Sequence, residues 1–212
     1  VQTGLTQTAN HIVKEKTGHY EDNKLTKKWT YWADDGRKTQ VTSYDKGIMN
    51  GPYISWNEDN YKVLDGEYKQ GEKNIKWTHW YGDGVLKKQE SFINGEKDGQ
   101  WIWWRPDGVK DRAGIFQNGL KHGIWTLWNN EDHKATEETY VNGSIDGTVT
   151  IWYDNGNKDR EGVIRGGEPT IQWTYYNPDG TKDFIFDYGT GLDQVRIAEL
   201  ENRDGVFYKI GK

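Results

Sequence analysis

Five histidines, 33 acidic residues and no cysteine bound the chemistry open to this 212-residue chain. The histidines, His11, His19, His79, His122 and His133, fall at unrelated spacings and form no array of metal ligands. With no cysteine there is neither a thiolate nucleophile nor a disulfide framework. Gly-x-Ser-x-Gly, His-Glu-x-x-His and a phosphate-binding glycine loop are all absent from the sequence. Asp154-Asn-Gly-Asn-Lys-Asp159 has the opening of a Ca²⁺ loop but no downstream bidentate Glu, and reads better as a hairpin turn. Paired carboxylates could hydrolyse a glycoside. Asp83, Asp107 and Asp179, however, stand directly before Gly, where a short carboxylate caps its own turn. The expectation is a protein that is not an enzyme, with no catalytic residues, no metal and no cofactor.

The chemistry that does recur is aromatic. From the Trp125-Thr-Leu-Trp128 run, a step of 24 residues gives an inner column of Trp29, Tyr53, Trp77, Trp101, Trp125, Val149 and Trp173. Three residues on lies an outer column of Trp32, Trp56, Trp80, Trp104, Trp128, Trp152 and Tyr176. Nine before the inner column stand Tyr20, Tyr44, Tyr68, Phe92, Phe116, Tyr140 and Ile164, with no insertion to disturb the phase. A fixed period of this kind marks a repeat array. It fills residues 1–212 as one array: a degenerate N-terminal cap at 1–19, repeats at 20–187 and a degenerate C-terminal cap at 188–212.

Each period holds two turn signals, Asn-Gly (Asn94-Gly95, Asn118-Gly119, Asn142-Gly143) and Asp-Gly (Asp35-Gly36, Asp83-Gly84, Asp107-Gly108, Asp179-Gly180). Both pairs favour tight β-hairpins, and the runs between them are rich in β-branched and aromatic residues. Two reversals per period predict an all-β protein, an elongated single-layer antiparallel β-meander of tandem hairpins. With Asp-Gly taken as a two-residue turn, Gly99 opposes Phe116 and Gly123 opposes Tyr140. The missing Cβ would then let the ring lie over the backbone. Strand alternation places Trp125 and Leu127 on one face, Thr126 and Trp128 on the other. One Trp ladder is expected to be core. The other, Trp32, Trp56, Trp80, Trp104, Trp128 and Trp152, is the candidate binding face. Lys38, Lys62, Lys110, Lys134, Lys158 and Lys182 form a further column, read as a solvated rim.

The motif Phe116-x-Asn-Gly119-x-x-x-Gly123-x-Trp125-x-x-Trp128, followed by Lys134 and Tyr140-x-Asn-Gly143, resembles the MORN repeat. It is most similar to the bacterial variant seen in proteins of the YwqK antitoxin family. Trp-x-x-Trp in place of Trp-x-x-Tyr departs mildly from that pattern. The resemblance implies an elongated antiparallel sheet and a part in protein association, with membrane-lipid binding also proposed for such repeats, and no enzyme site.

A net charge of -5 and a pI near 5.6 argue against a nucleic-acid partner. No stretch approaches the apolar length of a membrane span, so the chain is not expected to be transmembrane. An opening Val1 and the lack of Cys point to an extracytoplasmic or secreted location. The function expected is a non-catalytic interaction or scaffold module, alone or as a subunit of a larger assembly, with a protein or another copy of itself as partner. Glycan binding through the outer Trp ladder is the alternative, and an antitoxin or immunity-type inhibitor a second.

Overall fold

The computed structural model describes residues 2–8, 11–170 and 172–188. Its strands run β1 (Gln2–Thr8), β2 (His11–Glu21), β3 (Lys24–Trp32), β4 (Lys38–Asp45), β5 (Ile48–Trp56) and β6 (Lys62–Lys69). They continue as β7 (Glu72–Trp80), β8 (Leu86–Ile93), β9 (Glu96–Lys97), β10 (Gly99–Trp104), β11 (Lys110–Gln117) and β12 (Leu120–Trp128). The last six are β13 (Lys134–Val141), β14 (Ser144–Trp152), β15 (Lys158–Arg165), β16 (Glu168–Pro169), β17 (Gln172–Tyr176) and β18 (Lys182–Asp187). Every pairing is antiparallel and joins strands next to each other in sequence, save that β8 also pairs past β9 and β15 past β16, so the fold is a single open β-meander. Both β9 and β10 pair with β8, and both β16 and β17 with β15; the 18 segments therefore form sixteen lines of one sheet. Of the C-terminal cap, only Tyr188 lies within the described residues.

The two turn signals make different reversals. At the Asn-Gly edge both central residues have positive φ, as in Asn94 (48°) with Gly95 (83°) and Asn142 (49°) with Gly143 (87°). These are the two-residue turns whose twist matches that of the strands. Each turn also binds the preceding repeat, Gly95 donating its N–H to the Lys73 carbonyl at 2.8 Å and Gly143 to Lys121 at 2.9 Å.

The Asp-Gly reversals are not two-residue turns. Gly36 N–H donates to the Ala33 carbonyl at 2.9 Å and Ala33 N–H to Arg37 at 2.8 Å, while only Gly36 (φ 85°) is left-handed. This is a three-residue loop, a turn completed by a glycine, and it displaces the register by one residue beside it. Trp104 consequently faces Lys110 although Trp103 faces Arg112. Beyond that bulge the expected register holds, with Gly99 opposite Phe116 and Gly123 opposite Tyr140.

The reason for those glycines is not the expected one. Gly51, Gly99 and Gly147 have φ of 108°, 93° and 145°, which L side chains scarcely adopt, and a Cβ on Gly147 would stand 2.7 Å from Cβ of Thr139. In the alternate repeats the same position is Lys27 (φ 60°), Ile75 (49°) and Gly123 (66°), with nothing within 4 Å of a Cβ built on Gly123. The rings lie instead on a second glycine column, Gly18, Gly66, Gly114 and Gly162, spaced by 48 residues. A Cβ there would meet Cδ2 of Trp29, Trp77, Trp125 or Trp173 at 2.1–2.3 Å. The true structural period is two repeats.

Candidate functional site

The inner face buries its tryptophans without a second layer of sheet. Trp29 and Trp77 are 0% exposed, Trp101 4%, Trp125 2% and Trp173 8%. Phe116 meets Trp101 and Trp125 edge-on at 5.0 Å, and Tyr68 meets Trp77 at 4.8 Å. Lysine ammoniums close the top: Lys73 lies 4.7 Å from the Trp77 ring, Lys97 5.0 Å from Trp101 and Lys121 4.4 Å from Trp125. A long aliphatic stem with a charged tip covers a ring while keeping its charge in water. The Trp77, Trp101 and Trp125 indoles donate to the carbonyls of Glu67, Ser91 and Ile115 at 3.0–3.1 Å, each beside a bulge in the ladder.

Where Gly is replaced at this buried position the substitute is Thr42, Glu90 or Glu138. Glu90 is 4% exposed and has two ammoniums and an imidazole around it: Lys88 at 2.6 Å, His79 at 2.8 Å and Lys73 at 3.7 Å. Burial pushes its carboxyl up, but hydrogen bonds from His79 and Lys88 outweigh it and hold the pKa at about 2. Glu138 instead accepts the Tyr140 hydroxyl at 2.8 Å.

On the outer face Trp32, Trp56, Trp80, Trp104, Trp128 and Trp152 are all half-buried and stand in register across six repeats. The lysine column expected as a rim belongs to this face. Lys62 lies 4.5 Å from the Trp80 ring, Lys110 5.4 Å from Trp128, Lys134 5.5 Å from Trp152 and Lys158 6.0 Å from Tyr176. Each is also paired across its own hairpin with the Trp of the preceding repeat, as Lys110 with Trp104 and Lys134 with Trp128, so indoles and ammoniums alternate along the sheet. Carboxylates tether three of these lysines: Asp65 to Lys62 at 2.8 Å, Glu137 to Lys134 at 2.5 Å and Glu161 to Lys158 at 2.6 Å. Stepping the sequence by 24 exposes this lysine column, but only the register shift at the loop bulge brings it over the next Trp.

The Asp-Gly edge is stitched by side chains that sequence reasoning did not single out. Tyr81 and Tyr153 donate their hydroxyls to the carbonyls of Trp104 and Tyr176 at 2.9 and 2.8 Å. Arg105 reaches the Trp128 carbonyl at 3.1 Å and also binds that of Asn129. Asp83, Asp107 and Asp179 accept the N–H two residues on at 3.0, 2.9 and 2.8 Å, as expected of turn caps. The Asp154–Asp159 loop is likewise a hairpin reversal, in which Asn155 and Asn157 both donate to the Pro178 carbonyl. His79 serves Glu90 and His133 bonds the Asp154 carbonyl; among the described residues no cluster has the makings of a metal site. No helix of the described residues is long and apolar enough to cross a membrane. Neither comparison with protein-family models nor comparison with curated proteins finds a match to this sequence.

Proposed function

We propose that this chain is a non-catalytic interaction module that presents its outer face to a protein partner. The observation that carries this reading is the difference between the two aromatic columns: the tryptophans of the inner one are buried, whereas those of the outer one stay half-buried in the same register from Trp32 to Trp152. Aromatic side chains regularly displayed on a rigid sheet are the material of protein interfaces, and the resemblance to MORN repeats supports the same role. Stacking of sugar rings on the outer ladder is disfavoured, because the chain's own lysines already cover the faces of Trp80, Trp128 and Trp152.

Because the chain has no cysteine, a single one can carry a photo-activated cross-linker at a chosen face. Placed at Thr148 of the outer face, it should capture another protein in extracts of producing cells; placed at Leu127 of the inner face, it should not. Equal labelling from both faces, or none from Thr148, would count against the module. A polysaccharide that shifts tryptophan fluorescence at low concentration would favour the glycan reading instead.

A further inference from the structure

The outer face is not uniform along the sheet. Four of its positions carry fixed charge in some repeats and an apolar side chain at one place within β8–β12. Leu86 stands where other repeats have Lys38, Lys62, Lys110, Lys134 and Lys158, and Ala113 where they have Asp65, Glu137 and Glu161. Ile115 replaces Glu67 and Ile124 replaces Lys28 and Lys76. Alternation along each strand, anchored by the pairs Gln100↔Ile115 and Ile124↔Thr139, sets these side chains on the same face as Trp104 and Trp128. Ile115, Leu120 and Ile124 are 46%, 49% and 58% exposed, with Ile93 beside them on β8 also exposed. The remaining fixed charges of this stretch lie at its margins, Glu96 and Asp98 toward the Asn-Gly edge and Lys110 toward the other. Loss of charge at the centre with aromatics retained is what distinguishes an interface core from ordinary surface.

We propose that this uncharged patch docks a second copy of the chain, face to face; the inference rests on the outer face being the interaction surface. Three features select that occupant. The patch belongs to a continuous sheet face, and a second sheet packs on such a face with side chains interdigitated. Its flanking charges are already paired within the chain, Lys62 with Asp65 on one side and Lys134 with Glu137 on the other. At the margins, a two-fold contact that sets the Asn-Gly edge of one copy against the Asp-Gly edge of the other brings Lys110 of each toward Glu96 and Asp98 of its mate, whereas burying an unpaired charge would be costly. The area fits a modest dimer. Four lines of sheet by about eight residues cover roughly 19 Å by 26 Å, on the order of 500 Å². A stable interface needs about 800 Å² per partner, which the half-exposed Trp80, Trp104 and Trp128 beside the patch help to supply. A two-fold contact of this kind uses the same patch on both copies.

The test is sedimentation velocity of the full chain from about 1 µM to about 500 µM, a span that brackets dissociation constants of a modest interface. The expected result is a concentration-dependent monomer–dimer equilibrium. The variant Ile115→Ser with Ile124→Lys restores residues that other repeats carry at the same positions, Ser43 and Lys28, so it preserves the fold, as circular dichroism would verify. It should weaken the dimer at least about tenfold. Gln172→Lys, at the repeat position of Ile124 but on β17, should leave it unchanged. A wild-type chain that stays monomeric throughout, or a double variant that associates as tightly as wild type, overturns the proposal. A monomer whose Thr148 cross-linker still captures a different protein would sink the dimer alone; a dimer without such captures would sink the partner reading alone.

Discussion

At Gly114 an added methyl group would sit 2.2 Å from Cδ2 of Trp125, whereas at Gly123 it would meet nothing within 4 Å. The two glycines therefore fail for different reasons when changed to Ala. Gly114 has an ordinary backbone and a buried indole lying on it, so Gly114→Ala must displace the ring at a cost of about 2–3 kcal/mol. Gly123 has φ 66°, and Gly123→Ala costs about 1 kcal/mol in backbone strain alone. Urea unfolding of the two variants should show that order, and the reverse would mean the ring does not rest on Gly114. Glu90 supplies a second measurement at this scale. Its pKa is about 2 when folded, against about 4.3 unfolded, so the ionised form stabilises the fold. That stability is complete above the unfolded value and disappears as pH falls from about 4.5 to about 2, an amount on the order of 3 kcal/mol. Thermal melts should drop across that acid window in the wild type, and Glu90→Gln should flatten the drop while lowering stability at neutral pH. A wild type whose melting temperature is level between pH 5 and pH 2 would show that His79 and the two lysines do not act on this carboxyl.

The hairpin is the element, and its two aromatic columns predict two grades of damage. Trp125 is 2% exposed under Lys121 and between Phe116 and Tyr140, so Trp125→Ala should cost about 3–5 kcal/mol. Trp128 is half-buried beneath Lys110, and Trp128→Ala should cost clearly less while weakening association. Equal large losses would make both columns core and remove the outer face as a binding surface. At the loops, Asp107→Asn should leave fold and association nearly intact, because Asn155 already caps the equivalent loop by accepting the Asn157 N–H at 3.0 Å. If that change abolished an activity at constant melting temperature, a catalytic carboxylate would lie in the loop. The period, the strand order, the pairing of Gly99 with Phe116 and the buried inner column were all legible, because each follows from residue type at a fixed step. The three-residue Asp-Gly loop was not, since Asp before Gly serves a two-residue turn equally well and only the register beside Trp104 separates them. The doubled period was present in Gly18, Gly66, Gly114 and Gly162 but hidden by stepping a single repeat. The lysine lids were invisible for another reason: a flexible side chain reaches across strands, and spacing along one strand does not encode that reach.

At the scale of the molecule the decisive property is that each line of sheet pairs only with its sequence neighbours, and the side-chain bonds beyond them run to the next repeat. β1 pairs only with β2 and β18 only with β17, so among the described residues the sheet does not close, and no helix or second sheet covers it. A single hydrophobic core would pull 212 residues into a globule with a radius of gyration of about 17 Å. Here burial is solved locally, by a glycine or carboxylate beneath each inner indole and, in the central repeats, edge-on rings beside it and a lysine stem above, so nothing rewards collapse of one end onto the other. Sixteen lines at about 4.8 Å each give a ribbon on the order of 75 Å long, and a rod of that length has a radius of gyration of roughly 22 Å or more. Small-angle scattering at concentrations below any self-association should therefore return a value well above that of the globule, with a distance distribution skewed toward long vectors. A symmetric distribution with a radius near 17 Å would mean that the ribbon curls until its ends meet. The outer aromatic ladder would then be drawn around a closed body, and the flat sheet face on which a second copy is proposed to dock would no longer exist.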